Sequence, residues 1–159
     1  MSDTRPGGSE DPLDFLSHQH RQVEQLWIQL EAAHGTDNEI QAGLAREIVA
    51  MLSQHDAVEV QLLYPTLRER GGERGEELAN HSLAEHQKVR QQLQEVDGKD
   101  PRDEQVWTTL SQCIADVQQH VEEEEGEIFP LLRQHWDADE RVQLCQQMNE
   151  VLANAPTHP

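Results

Sequence analysis

The sequence is poor in cysteine, in aromatic residues and in positive charge, and each shortage excludes a class of protein. Its two cysteines, Cys113 and Cys145, match no zinc-binding spacing, so buried thiols in a reducing compartment are expected. Aromatic residues make up 4% of the chain, so the core must be mainly aliphatic. Twelve basic residues against 31 acidic ones give a formal net charge of −19, which argues against binding to nucleic acids or anionic membranes.

Long hydrophobic runs and an N-terminal targeting pattern are also missing. No apolar stretch approaches the ~20 residues that a membrane-spanning helix needs. The first ten residues, MSDTRPGGSE, lack the basic-then-apolar order of a secretory signal. Residues 1–10 are therefore predicted to be a disordered tail, and the protein is expected to be cytoplasmic. The acidic excess favours solubility and, more specifically, the attraction of cations.

Four long stretches carry apolar residues at steps of three and four, and a shorter one follows them. Clusters of Gly, Asp, Asn and Pro separate these stretches, which span residues 12–33, 39–69, 76–96, 103–134 and 138–153. Expected helix starts are Asp11–Pro12, Asp37 and Asp100–Pro101. No stretch alternates as a strand does, and short connections favour antiparallel neighbours. The predicted fold is all-α: residues 11–155 form an antiparallel up-down four-helix bundle with a short C-terminal helix.

Each of the four long helices has a histidine within its apolar face, and two of these histidines are followed one turn later by a glutamate on the same face. These inward polar residues are His20, His55, Glu59, His86, His120 and Glu124. A buried glutamate is costly unless it is paired or bound to a metal ion, and the basic residues fall off these faces. The pattern therefore indicates a polar site inside the bundle.

Two eleven-residue segments repeat one pattern: HDAVEVQLLYP begins at His55 and HVEEEEGEIFP begins at His120. Each has Glu four residues after His and ends on an aromatic residue and Pro. With His20 and His86 at matching distances upstream, the chain resembles a duplicated helix pair. Helix bundles build metal sites from facing Glu and His side chains, and imidazole with carboxylate suits iron, zinc or manganese. Four rings and two carboxylates exceed one tetrahedral ion but fit two ions bridged by glutamate.

With these two segments, HQHRQVEQL around His20 and AEHQKV around His86, the sequence resembles the hemerythrin-like, HHE cation-binding family over roughly residues 12–134. The resemblance implies an antiparallel four-helix bundle around two non-haem iron ions. It also implies that two histidines hold each ion and that two glutamates bridge them. The implied pairs are His20 with His55, His86 with His120, and Glu59 with Glu124.

One position departs from the oxygen-carrying members of this family, which have a fifth histidine one turn before the ligand of the third helix. Here that position is Ser82, and the adjacent His81 lies roughly 100° further round the helix. Asp56 shares a face with Glu59 and is expected to fill the gap as a metal ligand. The alternative is that Asp56 is a solvated surface carboxylate.

Other residues near the motifs are expected to lie outside the ligand set. Tyr64 is expected to pack, as Phe129 does in the other repeat, although a hydrogen-bonding or redox role is open. Glu123 is a weaker alternative to Glu124. Histidines expected to point away from the core or to be solvated are His18, His34, His135 and His158.

Two ions in a bundle core support several functions, and the four-histidine set favours a reactive or sensing centre over reversible oxygen carriage. The leading interpretation is a non-haem di-iron protein that binds oxygen, or reacts with oxygen, peroxide or nitric oxide, in oxidative or nitrosative stress defence. Such a protein can be an enzyme that consumes peroxide or nitric oxide. The alternatives are a non-catalytic iron or oxygen sensor with a protein partner, an iron-storage protein, and a structural zinc or manganese bundle.

Overall fold

The computed structural model describes residues 11–159, so the disordered tail predicted for residues 1–10 lies outside the described residues. Residues 11–159 contain helices and turns but no strand, and the prediction of an all-α helical bundle is confirmed. Over the same residues, no helix combines the length and the apolar character needed to cross a membrane.

The described chain has seven α-helices and two π-helical turns. The α-helices are α1 Pro12–Ala33, α2 Asn38–Val58, α3 Tyr64–Arg70, α4 Gly72–Val96, α5 Glu104–Glu123, α6 Phe129–Arg133 and α7 Ala138–Asn154. The π turns are π1 Glu59–Leu63 and π2 Glu124–Ile128. The backbone stays helical through both π turns, so α2–π1–α3 and α5–π2–α6 each act as one long member. With α1 and α4 they form the bundle, and α7 packs against α1 and α2.

Aspartates begin most of the long helices, as expected of residues whose side chains accept from free backbone N–H groups. Asp11 accepts from the N–H of Leu13 with Pro12 in the first turn, and Asp37 accepts from Glu39 in the same way. The helix start predicted at Asp100–Pro101 is wrong, because α5 begins after Asp103, which accepts from the N–H of Gln105. Asp100 instead caps the preceding turn.

Each π turn lies directly before an aromatic residue followed by proline, Tyr64–Pro65 or Phe129–Pro130. The N–H of Tyr64 bonds to the carbonyl of Glu59, and that of Phe129 bonds to Glu124, in each case five residues back. Proline has no N–H to continue the regular ladder, and the wider turn lets the helix pass this point without ending. Both glutamates of the repeated motif therefore open a π turn.

The interior has three layers. One apolar cluster surrounds Leu16, Tyr64 and Phe129, and a second surrounds Trp27 and Leu93. The inward histidines and glutamates lie where each helix passes from one cluster to the other. The polar layer is therefore enclosed between two apolar ones, which places it largely out of reach of water.

Candidate metal centre

The six residues of the repeated pattern meet in this polar layer. The four histidines are 6–7% exposed and the two glutamates are fully buried. Their ligand atoms form two groups, each with all atoms within 4.8 Å of one another, and both groups contain Glu59 and Glu124. The first group adds His20 and His55, and the second adds His86 and His120. The structure thus brings together, as two cation-sized clusters with two shared carboxylates, the residues that the sequence singled out.

Within each group the Nε2 atoms of the two rings face each other. Nε2 of His20 lies 3.1 Å from Nε2 of His55, and Nε2 of His86 lies 3.1 Å from Nε2 of His120. The same atoms approach the carboxylates, with His55 Nε2 at 2.6 Å from an oxygen of Glu59 and His120 Nε2 at 2.9 Å from one of Glu124. All four rings therefore present the same nitrogen to the centre.

The Nδ1 atom of every ring is held by an acceptor on a neighbouring helix. Two of these acceptors belong to the first half of the chain: Gln19 on α1 accepts from His55 at 2.7 Å, and Asp56 on α2 accepts from His86 at 2.8 Å. We call these two acceptors, together with Glu85 and Glu125, the outer partners.

The other two outer partners close the circle. Glu85 on α4 accepts from His120 at 3.0 Å, and Glu125 in π2 approaches Nδ1 of His20 at 3.4 Å. Each outer partner directly precedes or follows a ligand-type residue in the sequence, yet it holds a ring on another helix. The four links thus run from α1 to α2, to α4, to α5 and back to α1.

These contacts decide which ring nitrogen carries the proton. An acceptor at Nδ1 fixes the proton there and leaves the lone pair at Nε2, as for histidines that bind metal ions. Two lone pairs 3.1 Å apart repel each other unless a cation lies between or beside them. The donor set therefore fits a metal ion in each cluster.

The glutamate oxygens point to the same conclusion. Both oxygens of Glu59 and Oε1 of Glu124 are buried without a hydrogen bond of acceptable geometry, although ring nitrogens lie close to them. Burying a carboxylate oxygen without a hydrogen-bond donor lowers the stability of a folded protein by on the order of several kcal/mol. Atoms that converge on a common point instead of on each other are typical of a ligand shell.

The charges expected without a cation show how strongly the site attracts positive charge. Burial lowers the pKa of His86, but its hydrogen bonds to Asp56 and Glu59 outweigh burial and raise that pKa to about 9. Burial also lowers the pKa of His120, but the hydrogen bond to Glu124 and the charge of Glu124 outweigh burial and raise that pKa to about 11. The pKa of Glu124 falls well below its usual range, because the ring of His120 overcomes the effect of burial. Without a metal ion, protons on the rings of His86 and His120 would supply the positive charge that the carboxylates attract.

Tyr64 belongs to the second cluster, which differs from the expectation that it only packs. Its phenol oxygen lies 2.8 Å from Nε2 of His86 and 3.0 Å from Nε2 of His120, and it donates to Glu124 at 2.6 Å. Burial, and then the charges of Glu124 and Glu59, raise the pKa of Tyr64 well above its usual value, so the metal-free site holds a neutral phenol. Phe129, at the matching position of the other repeat, instead stacks on His20.

Asp56 also differs from its expected place. It lies outside both ligand groups, on the Nδ1 side of His86, and forms a two-oxygen ion pair with Arg90. In this position Asp56 orients the His86 ring and does not face the centre. Ser82 is fully buried beside the phenol of Tyr64, without meeting hydrogen-bond geometry. The gap left by this small side chain is filled by Tyr64 from α3.

The remaining polar candidates lie further out. Glu123 faces His81, 3.3 Å away, and not the centre. His18 and His135 are exposed, as expected, and His34 is exposed while it stacks on Trp107. His158 is exposed but lies at the mouth of a cavity that reaches the centre, which sequence reasoning did not anticipate.

A family model described as the hemerythrin HHE cation-binding domain matches residues 11–132. The chain belongs to this hemerythrin family. A hemerythrin-like protein of Schizosaccharomyces pombe, itself described as uncharacterised, is 23% identical over 145 residues, which cover 91% of this chain and 70% of that protein. No solved structure matches the chain significantly.

Four residues of this hemerythrin-like site were missed or misjudged by sequence reasoning: Gln19, Glu85, Glu125 and Tyr64. The first three adjoin His20, His86 and Glu124 in the sequence. A polar residue next to a ligand position, able to reach the neighbouring helix, is therefore the signal that could have found them. The signal for Tyr64 was Ser82, since a small residue facing the centre leaves room for a side chain from elsewhere.

Proposed function

We propose that the chain is a non-haem di-iron protein that reacts with peroxide in oxidative stress defence. The observation that carries this proposal is the pair of clusters with shared glutamates, in which four Nε2 lone pairs face two buried carboxylates. In the proposed ligand set His20 and His55 hold one ion, and His86 and His120 hold the other. Glu59 and Glu124 would be shared by the two ions, and Tyr64 would replace Asp56 as the additional ligand.

Iron is favoured by the types of ligand atom and by access to the site. The clusters offer imidazole and carboxylate without thiolate, a set that suits iron, zinc and manganese, and Tyr64 adds a hard phenol oxygen. A structural site is normally closed, whereas a cavity of about 290 Å³ reaches these ligands. When bound, a ferrous pair supplies two electrons, which is the number needed to reduce one peroxide.

Peroxide is favoured over reversible oxygen carriage by the proton at Tyr64. Cleavage of an O–O bond consumes protons, and the phenol holds one 2.6 Å from a Glu124 oxygen inside the centre. Once this proton has left, the phenolate oxygen of Tyr64 would be available as a ligand for iron held by the second cluster. The outer partners hold a proton at Nδ1 of the rings, so with metal bound the Nε2 atoms would serve as ligands and the rings would not deliver protons. A cytoplasmic location and the absence of nucleic-acid partners stay predictions from composition.

The deciding experiment is anaerobic reconstitution with ferrous iron, followed by metal analysis and single-turnover mixing with one equivalent of hydrogen peroxide. We expect close to two iron ions per chain and a near-ultraviolet absorption that forms faster than with ferrous iron in buffer. Parallel mixing with dioxygen and with nitric oxide ranks the three small ligands. His18→Ala is the control, because His18 is exposed and lies outside both clusters.

Two results would overturn the proposal. An iron content well below one per chain contradicts the di-iron centre. Two irons per chain that react with hydrogen peroxide no faster than free ferrous iron contradict the peroxide function and leave storage or sensing.

A further inference from the structure

An apolar cavity adjoins the ligand clusters on the side away from Tyr64. It has a volume of about 290 Å³, and side chains from all four long members of the bundle form its wall. We call this space the apolar chamber. Its wall includes Val23, Leu52, Val89, Leu93, Val117 and Val121. Its floor is formed by His20, His55, Glu59, His86 and His120.

The size of the apolar chamber exceeds what hydrogen peroxide or dioxygen needs. A water molecule occupies about 30 Å³ of liquid volume, and an apolar protein cavity of ~150 Å³ is known to bind benzene. A volume of about 290 Å³ therefore accommodates an organic molecule of about ten non-hydrogen atoms. Hydrogen peroxide and dioxygen have only two non-hydrogen atoms each and do not need a cavity of this volume.

The two ends of the apolar chamber differ in chemistry. The wall is mainly formed by Val and Leu side chains, whereas the floor presents ring nitrogens and a carboxylate. Binding sites for small molecules commonly combine an apolar lining with a few polar groups that fix the orientation. A fitting occupant has a compact apolar body and one small polar end that points to the metal ligands.

Charge selects a neutral polar end. The rim carries Asp56 and Glu85, of which Asp56 is neutralised by Arg90, and the chain as a whole has a formal charge of −19. An anionic molecule would be repelled on approach. A neutral hydroperoxide or alcohol would not be.

The C-terminal residues shape the mouth of the apolar chamber. Pro156, His158 and Pro159 line it, and His158 is paired with Asp97 at 3.0 Å. Asp97 directly follows α4, so this hydrogen bond holds the segment against the end of the helix that supplies Val89 and Leu93. The segment extends the apolar surface outward with two prolines, which suits a substrate with an organic body.

We propose that the apolar chamber binds the organic part of an alkyl or aryl hydroperoxide and directs its peroxide group to the metal ligands. This inference rests on the proposed function and names its substrate class. In the balanced reaction the O–O bond breaks, the ferrous pair gives up two electrons, two protons are taken up, and an alcohol and a water leave. The alcohol product has the same body as the substrate and is a redox-inert probe of binding.

The test uses 2-phenylpropan-2-ol, the alcohol formed from cumene hydroperoxide. It is titrated by calorimetry into reconstituted protein that has been fully oxidised, so that no redox step accompanies binding. Val89→Trp fills the apolar chamber, and Val142→Trp makes the same change on the exposed face of α7. We expect Val89→Trp to weaken binding at least tenfold and Val142→Trp to leave it unchanged. Val117→Phe, which changes the part of the wall formed by α5, serves if Val89→Trp loses helix content by circular dichroism.

Single-turnover rates separate this inference from the proposed function. We expect Val89→Trp to lower the rate ratio of cumene hydroperoxide to hydrogen peroxide at least tenfold, because hydrogen peroxide needs far less of the space that the indole fills. Val142→Trp, which lies outside the apolar chamber, should leave both rates and their ratio at the parent values. If the alcohol does not bind, or if neither Val89→Trp nor Val117→Phe weakens its binding, the apolar chamber is not its site, even where hydrogen peroxide still reacts. If the alcohol binds as expected but no peroxide oxidises the ferrous protein, the peroxide function fails and the binding site stands.

Discussion

The phenol oxygen of Tyr64 lies 2.8 Å from Nε2 of His86, on the edge of the ring that faces the metal-ligand cluster. Tyr64 is the only tyrosine in the sequence, so any phenolate signal must come from it. In the oxidised iron protein we expect a visible charge-transfer band that Tyr64→Phe abolishes. Because one ligand is lost, iron affinity at this cluster should fall roughly tenfold. An identical visible spectrum in Tyr64→Phe would show that the phenol does not bind iron.

Ser82→His tests why the phenol reaches the centre. Ser82 is fully buried beside Tyr64, and an imidazole there would occupy the space that the phenol now uses. We expect the variant to lose the phenolate band while it keeps two irons per chain, since one ligand replaces another. Resonance Raman spectroscopy with excitation in the band is the measurement. Retention of the tyrosinate vibrations in the variant would show that the two side chains do not compete.

Asp56 and Asp116 each pair with a basic side chain, so Asp116 is the matched control for Asp56. Asp56 holds Nδ1 of His86 and pairs with Arg90, whereas Asp116 pairs with Lys88 at the surface. Asp56→Asn removes the charge that supports the ring, and we expect iron affinity to fall 10- to 100-fold. Asp116→Asn should leave the affinity unchanged in the same competition titration with a chelator. Equal effects of both changes would mean that Asp56 acts only through general charge.

Glu124 and Glu123 test the assignment of the bridging residue. Glu124 is fully buried within both clusters, whereas Glu123 faces His81. Glu124→Gln should reduce the bound iron from two ions per chain to one or fewer, because an amide bridges two cations poorly. Glu123→Gln should bind as much iron as the parent. The reverse ranking by elemental analysis would place the bridge at Glu123.

The metal-free protein should lose stability as the pH rises. The pKa of His120 is raised to about 11, above the ordinary value of 6.5, so the folded state binds a proton that the unfolded state has released. The contribution of this proton to the free energy of unfolding is fully present below pH 6.5 and is lost as the pH approaches 11. We therefore expect the melting temperature of the metal-free protein to fall from pH 6.5 to pH 9.

The zinc-loaded protein is the control for this pH dependence. A metal ion on Nε2 replaces the proton, so its melting temperature should change little over the same range. A metal-free protein whose melting temperature is flat or rises between pH 6.5 and pH 9 would show that the His120 ring is not protonated in the empty site.

The sequence predicts the four-helix bundle and the convergence of its inward polar residues, for a simple physical reason. His20 lies between Leu16 and Val23 at helical spacing, and burial of that apolar face carries the ring inward with it. Glu59 and Glu124 follow from the same period. The outer partners cannot be read in this way, because helical phase says which side of a helix a residue occupies but not what lies opposite.

The role of Tyr64 was hidden by a change of helical geometry. A regular α-helical phase holds as far as Glu59, but π1 follows and rotates the next residues relative to a continued α-helix. The phenol then enters the second cluster, whereas Phe129 after π2 packs on a ring of the first. The two repeats look alike in sequence, but the residue type at this position makes the two halves of the centre chemically different.

Because both clusters share Glu59 and Glu124, the polar layer joins two helical hairpins of the chain. The first hairpin, residues 12–70, supplies His20, His55 and Glu59 and meets the second, residues 72–133, at Gly71–Gly72. Neither hairpin owns a complete cluster, because each cluster takes one glutamate from the other half. A bound ion would therefore clamp the two hairpins as a covalent cross-link clamps two chains. The two hairpins also share both apolar clusters, and α7 packs against α1 and α2, so a cut in the Gly71–Gly72 connection should leave two pieces that associate without metal and more tightly with it.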